Sequence, residues 1–291
     1  MSLKLYQELA LAEGLKKEPL YVIASDGDYL EAERKRLNMQ HDTIVDMFNK
    51  KLIFAPVTFT RGDCILDCGT GTGIWAEEVA KIVPRDVIVE GTDISRRFFP
   101  SPGENPAVIF HNLSTLDLPT EWENRFTLVN QRLMIACFSW PQWETALHEI
   151  YRVLKPGGWA QILEIQQKHE FSATHPKFQR LLDIVHPMMR ARGFILDTGL
   201  GIEEIMQRGG YKNVTRTHRA APMGEWGGEQ GRGWWSWIQG AYRGMKDAVL
   251  RAGTVESGEE FDRVVKEAFD ESNDIPGVAH DMEVIYGQKI V

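Results

Sequence analysis

Ile65-Leu66-Asp67-Cys68-Gly69-Thr70-Gly71-Thr72-Gly73-Ile74-Trp75 is the stretch that decides how this chain is read. A short apolar run ends in an acid, passes through three glycines at alternate positions, and enters a helical pattern. That order predicts a strand, a tight loop and a helix start, with bare backbone against which a ligand can lie. A Cβ at the glycine positions would block the ligand or forbid the turn. The spacing says more than the glycine count. A dinucleotide fingerprint, G-x-G-x-x-G, wants its third glycine where Ile74 stands. Here the third glycine is Gly73, so the loop points away from a pyrophosphate and toward a different nucleoside-like ligand.

Outward from the loop, β-like and α-like segments alternate up to about residue 167, the pattern of a parallel sheet with crossover helices. Strands are expected at 64–67, 87–93, 107–112, 126–131 and 159–165. Helices are expected at 74–83, stopped near Pro84, and at 141–154, with proline in its first turn and Lys155-Pro156-Gly157-Gly158 as its stop. Further on, 175–192 and 201–208 read as helices and 214–221 as a strand. A Gly/Trp-rich stretch then runs from 223 to 240, read either as core packing by its tryptophans or as a loop that its glycines let close over a ligand. Helices near 237–251 and 259–271 and a last strand at 282–291 follow. Two late strands after a five-strand core suggest an antiparallel edge pair. Upstream, 29–55 carries Leu30, Leu37, Ile44, Val45, Phe48 and Leu52 at the spacing of one helix face. It reads either as a helix packed on the sheet edge or as a lid across the ligand site. The domain plan is therefore a helical lid over 1–60 and an α/β domain over 61–291, with cap insertions around 168–210 and 223–275.

Composition narrows the class. A chain of 291 residues, 43% hydrophobic and 25% charged, is long enough to bury a sizeable core. A formal net charge of −8 argues against a nucleic-acid partner, because neutralising phosphates needs a basic face. Cys64, Cys68 and Cys137 form no C-x-x-C pair and read as buried structural thiols. Met1-Ser2-Leu3-Lys4-Leu5 lacks an apolar signal core, and no run has the length of a membrane span. The expectation is a cytoplasmic protein without a membrane partner, with the nucleus as the alternative.

In an open α/β sheet, ligands sit beyond the carboxyl ends of the strands, at the switch in strand order. The expected strands end in Asp67 with its glycine loop, in Asp93, in Asn112 and in Gln131-Arg132. A carboxylate ending the second strand suits two ribose hydroxyls, and an amide ending the third can both donate to and accept from an adenine edge. The bland reading of Asp67 and Asp93 is loop capping, which is common at strand ends.

With these residues in view, the sequence resembles the class I S-adenosylmethionine-dependent methyltransferases, and more narrowly the fungal LaeA-like group. The resemblance is carried by residues 66–75, by Gly91-Thr92-Asp93-Ile94-Ser95, and by Leu154-Lys155-Pro156-Gly157-Gly158-Trp159. Glu33-Arg34, Leu37 and Gln40-His41 resemble that group's lead-in helix. It implies a Rossmann-like fold with a mainly parallel seven-stranded sheet, and S-adenosyl-L-methionine as cofactor. It further implies that Asp67 with Gly69, Thr70, Gly71 and Gly73 holds the methionine portion. Asp93, beside Ile94, would take the ribose hydroxyls, Asn112 and Leu113 the adenine, and Gln131 would lie under the sulfonium. Many relatives place an acid where Asn112 stands, but an amide can still accept from the adenine amino group.

Methyl transfer is an in-line displacement, and alignment of the nucleophile supplies up to roughly 7–11 kcal/mol. An alcohol or amine acceptor would gain from a general base, for which histidine is the usual choice. His41 and His169 are the candidates, with His175 and His186 behind them; for each, a packed or surface imidazole is the competing reading. His148-Glu149 is followed by Arg152 rather than a second histidine, which removes an H-E-x-x-H metal site. Trp226, Trp234, Trp235 and Trp237 either pack a core or wall a planar, aromatic or lipophilic small-molecule acceptor. The expected activity is methylation of such an acceptor at oxygen, in fungal secondary metabolism. The rivals are a non-methylating step such as cyclisation on the same fold, and a regulatory subunit of a nuclear protein complex.

Overall fold

The computed structural model describes residues 29–101, 107–166, 171 and 173–290. The first 28 residues of the expected lid and His169 therefore lie outside the described residues. The chain starts with helix α1 (Tyr29–Met47), then alternates β1 (Cys64–Cys68), α2 (Ile74–Ile82), β2 (Ile88–Thr92), β3 (Val108–His111), β4 (Phe126–Arg132), α3 (Trp140–Val153) and β5 (Leu154–Ile165). Two helices, α4 (Pro176–Ala191) and α5 (Thr198–Arg208), precede β6 (Lys212–Pro222). Helices α6 (Gly228–Gly244), α7 (Lys246–Arg251) and α8 (Gly258–Asp274) precede β7 (Ala279–Gln288).

One seven-stranded sheet runs in the order β3-β2-β1-β4-β5-β7-β6. β7 inserts between β5 and β6 and is antiparallel to both, whereas the other pairings are parallel. This is the expected Rossmann-like, mainly parallel sheet with a late antiparallel pair. All five residues of β1 are buried, as befits a parallel strand covered on both faces. Strand order reverses between β1 and its neighbours β2 and β4, which opens the crevice above the carboxyl ends. Cys64 and Cys68 share one apolar cluster, and burial pushes the Cys68 thiol up to about 12, in keeping with a structural thiol.

Three segments differ from expectation. First, α1 stops at Met47, eight residues short of the expected end, because Asn49 and Lys50 take φ of 54° and 63° and Lys50 N–H turns back to the Val45 carbonyl. The extended chain after it is pinned by a side chain from the sheet. Gln161 Oε1 accepts from the amides of Phe54 and Ala55, and its Nε2 donates to the Leu52 carbonyl at 3.0 Å.

Second, the Lys155–Gly158 turn does not separate helix from strand, because β5 begins directly at Leu154. Gly157 sits at φ 83°, and its N–H is held by the Lys289 carbonyl at 2.6 Å, so the end of the chain organises this turn.

Third, the Gly/Trp stretch is helical from Gly228 on, as α6, rather than a closing loop. Glycine costs about 1 kcal/mol per helical position relative to alanine. Here close approach explains several of them. A Cβ on Gly231 would meet the Gly224 carbonyl at 2.3 Å, on Gly233 the Thr43 hydroxyl at 3.1 Å, and on Gly240 the Arg36 Cδ at 3.2 Å. Gly233 and Gly240 thus let α6 lie flat on α1. Trp234 and Trp237 are buried and meet edge to face at 4.7 Å. Burying large apolar side chains at ~1.5–3 kcal/mol each outweighs the glycine cost. Among the described residues no helix is long and apolar enough to cross a membrane.

Candidate active site

A cavity of about 400 Å³ opens over the carboxyl ends of β1, β2 and β4. Its floor is Asp67, Gly69, Thr70, Gly71 and Thr72; its sides are Asp93 to Ser95, Leu113 to Thr115, and Arg132 to Phe138. Arg36, Leu37, Gln40 and His41 close it from α1, and Trp237, Ile238, Ala241 and Met245 from the α6 side. Positions 36, 37, 40 and 41 fall on one helix face, so the amphipathic pattern of α1 presents this set together.

The glycine loop is held by its own strand ends. Thr70 N–H donates to the Thr92 carbonyl at 2.9 Å, and the Thr70 hydroxyl to Asp67 Oδ2 at 2.7 Å. Asp67 Oδ1 accepts from Asn130 Nδ2 at 2.7 Å, and Asn130 Oδ1 in turn accepts from Gln161. A chain of amides therefore fixes the carboxylate from beneath. Burial raises the Asp67 pKa, with Arg132, Thr70 and Asn130 opposing. Gly69, Gly71 and Gly73 have φ of 66°, 56° and 82°, a region L side chains rarely adopt. A Cβ on Gly71 would enter the cavity, meeting only Leu37 Cδ1 at 3.9 Å. Bare backbone is exposed there.

Asp93 reaches across to the same loop. Its Oδ2 accepts from Gly71 N–H at 3.0 Å and its Oδ1 from Ser95 N–H at 2.9 Å. Burial raises its pKa while these two amides lower it. Each oxygen keeps a second lone pair for a ligand hydroxyl. Ile94 lies on the cavity wall although it is half exposed, and Leu113 also lines the cavity.

Three expected contact residues stand off the cavity wall. Asn112 is exposed and donates from Nδ2 to the Asp93 carbonyl at 2.9 Å, bracing the end of β2. Gly73 is buried at the start of α2, where a Cβ would strike the Phe110 ring at 2.6 Å. Gln131 is fully buried, and neither end of its amide has a hydrogen-bond partner. A buried strand-end residue alternates with its neighbours, so it is the next residue, Arg132, that reaches the cavity.

His41 is on the wall, but both of its ring nitrogens are engaged. Nδ1 faces Arg132 Nη2 at 3.1 Å and Nε2 faces Glu78 Oε2 at 2.9 Å. A guanidinium can only donate, so Nδ1 accepts and Nε2–H donates to Glu78: the ring is neutral. Burial first, and then Arg132, lower its pKa to about 4. A ring in this state is not available as a proton acceptor for a substrate. It orients Arg132 instead. His175 is likewise structural, with Nε2 on the Ile275 carbonyl at 3.0 Å.

Sequence reasoning placed Arg132 at a strand end but gave the contact to Gln131, and it missed Asn130 beneath Asp67 and Asn38, whose Oδ1 accepts from the Thr72 hydroxyl at 2.8 Å. It also missed Glu164. This buried residue of β5 accepts from the amides of Met134 and Ile135 at 2.6 and 3.2 Å, and burial pushes its pKa up to about 8. No local motif marks such residues. The pairing of β1 with β4 sets Asn130 beside Asp67, the pairing of β4 with β5 sets Glu164 next to the segment after β4, and Asn38 comes from α1.

A methyltransferase-domain family model matches residues 65–158. The N-methyltransferase gliN of Aspergillus fumigatus is 32% identical over 203 residues, 68% of this chain and 71% of that protein. The N-methyltransferase sirN of Leptosphaeria maculans is 33% identical over 205 residues, 69% of this chain and 71% of that protein. Among solved structures, phosphoethanolamine N-methyltransferase 2 of Haemonchus contortus, bound to phosphomonomethylethanolamine and S-adenosylhomocysteine, superposes with a TM-score of 0.50 at 18% identity. That match covers 86% of this chain and 52% of the nematode protein, so the present chain spans about half its length. The YcgJ protein of Bacillus subtilis gives a TM-score of 0.50 at 15% identity over 86% of this chain and 98% of its own. At such identities the structures carry the fold alone. The sequence relatives carry more: this chain belongs to the class I S-adenosylmethionine-dependent methyltransferases. It is an enzyme, and its cofactor is S-adenosylmethionine.

The residues present fit that cofactor. The Gly71 cradle, which a Cβ would fill, and the spare lone pairs of Asp93 are what a nucleoside with a charged amino-acid tail requires.

Proposed function

We propose that this chain transfers a methyl group to the nitrogen of a small organic acceptor in fungal secondary metabolism. Four fungal relatives are named N-methyltransferases, including tcpN of Claviceps purpurea at 29% identity, and they support nitrogen over the oxygen expected from sequence. The observation that carries the reading is the continuity of one cavity from the Asp67–Asp93 cradle to the apolar wall of α6.

In this reading Asp93 takes the ribose hydroxyls, Leu113 and Ile94 flank the adenine, and the Gly69–Gly71 backbone with Asp67 takes the methionine amino group. Arg132, held by His41, faces the methionine carboxylate, because a planar guanidinium suits that group. Asn112 braces Asp93 from outside the cavity, Gly73 starts α2, and Gln131 lies one layer back without a direct contact. When bound, the cofactor supplies an electrophilic methyl on sulfur. The chain's own residues bind and orient both partners and exclude water. α1 is the lid over both halves, clamped where Arg34 Nη1 donates to the Phe98 carbonyl at 2.9 Å. The narrower LaeA-like placement rests on the sequence motifs alone.

The test is incubation with methyl-deuterated S-adenosylmethionine and a panel of neutral aromatic amines, amides and phenols, followed by mass spectrometry and NMR of the products. Label on nitrogen supports the reading. Label confined to phenolic oxygen would overturn it.

A further inference from the structure

The two ends of the cavity differ in what they are part of. At the cofactor end the wall is loop backbone, Asp67, Asp93 and Arg132, each tied into hydrogen bonds. At the other end the lining residues Ile135, Ala136, Ile165, Trp237, Ile238 and Ala241 all belong to one continuous apolar cluster that fills the cap. Leu133 and Met245 pack against the same cluster and also face the cavity. Trp237, Ile238, Ala241 and Met245 are spaced along one side of α6 and its C-terminal end.

The titratable groups near this end have their charge accounted for. Arg36 lies 6.0 Å from the Trp237 ring and is paired twice with Glu33, with both contacts at 2.7 Å. Burial pushes the Cys137 thiol far up, so it stays neutral. Both Glu164 oxygens are turned to the backbone amides of Met134 and Ile135. An ionised acceptor seated here would lose its hydration without gaining a counter-charge, a cost of several kcal/mol. An apolar ring would instead gain from every face it buries.

We propose that this wall is the acceptor subsite and that it selects an uncharged, mainly apolar, ring-bearing molecule, with Ala241 setting the depth to which the ring can enter. The proposal rests on the methyltransferase reading for the identity of the site, not on which atom is methylated. Trp237 forms the flat side of the slot, Ile238 and Ala241 its floor, and Met245 its adjustable rim, since methionine is unbranched and repacks readily.

A pair of fluorescent probes with the same ring skeleton separates charge from shape: neutral N-phenyl-1-naphthylamine and its sulfonated counterpart, 1-anilinonaphthalene-8-sulfonate. Both are titrated into the full chain saturated with S-adenosylhomocysteine. The neutral probe is expected to bind at least tenfold more tightly. Ala241→Trp should weaken it at least tenfold while leaving S-adenosylhomocysteine affinity within twofold. If Ala241→Trp fails to bind S-adenosylhomocysteine, Met245→Glu at the half-buried rim takes its place, with an expected fivefold or greater loss for the neutral probe. Equal binding of the two probes would overturn the proposal. So would neutral-probe binding that ignores the substitution in a variant still competent for S-adenosylhomocysteine. Because the readout is binding, a failure of the nitrogen assignment leaves this result intact, and the reverse also holds.

Discussion

The cofactor half and the acceptor half of this cavity are built by opposite means. The cofactor half comes from two short segments of nearby sequence: residues 65–75 carry Asp67 and the glycine backbone, and residues 91–95 carry Asp93. It is polar, and its groups are fixed by hydrogen bonds of 2.7–3.0 Å. The acceptor half gathers residues from β5, the segment after β4 and α6, about a hundred positions apart, and is held by packing. A donor common to many reactions can be written in a local motif. A wall that must fit one acceptor is assembled from elements that are free to vary.

That contrast sets which substitutions hurt what. The largest expected effect is on the packed half. Trp237→Ala removes a buried indole from the cap core and should cost about 3–5 kcal/mol of stability, read by urea denaturation. Wherever the variant remains folded, S-adenosylhomocysteine affinity should stay close to that of the parent. Parallel loss of stability and cofactor affinity would show that the halves are not separable.

Next comes the polar half. Asp93→Ala removes the acceptor for Gly71 and Ser95 as well as for the ligand. A hydrogen bond to a charged group is worth about 2 kcal/mol, so S-adenosylhomocysteine should bind roughly thirtyfold more weakly by calorimetry. Unchanged affinity would remove Asp93 from the cofactor site.

The pH dependence supplies the last test, because His41 and Glu164 should slope in opposite directions. His41 titrates at about 4 in the folded chain against 6.5 in the unfolded one. The unfolded chain therefore takes a proton that the native one refuses, and stability falls as pH drops from 6.5 to 4. Glu164 titrates at about 8 against 4.5. Here the native state keeps a proton that the unfolded one releases, so stability falls as pH rises from 4.5 to 8. His41→Gln should flatten the acid side and Glu164→Gln the neutral side. Both can be measured as denaturation midpoints across buffers. A slope unchanged by either variant would refute the corresponding burial.

Much of the fold was legible because it rests on local rules. Apolar runs ending in turn residues gave the first five strands, and the glycine spacing gave the strand–loop–helix at the site. The helix of the Gly/Trp stretch was not legible because glycine content is a local signal, whereas this helix is stabilised by contact with α1. Residues 233 and 240 are glycine so that Thr43 and Arg36 can approach, and neither partner can be read from the window itself. The place of His41 on the cavity-facing helix was legible. The engagement of both its ring nitrogens was not, since one of them meets Arg132, ninety-one positions away.

By itself the sequence determined the parallel α/β core, and its glycine loop and strand-end acids carried the resemblance that implied the methyl donor, because these are patterns of short segments. Only the tertiary structure decided the rest: that Asn130 and Gln161 steady Asp67, that a neutral His41 holds Arg132, and that an apolar slab of α6 lines the same cavity as the glycine loop. Those are matters of long-range packing and desolvation. They exist only once the sheet has brought β4, β5, α1 and α6 around one cavity.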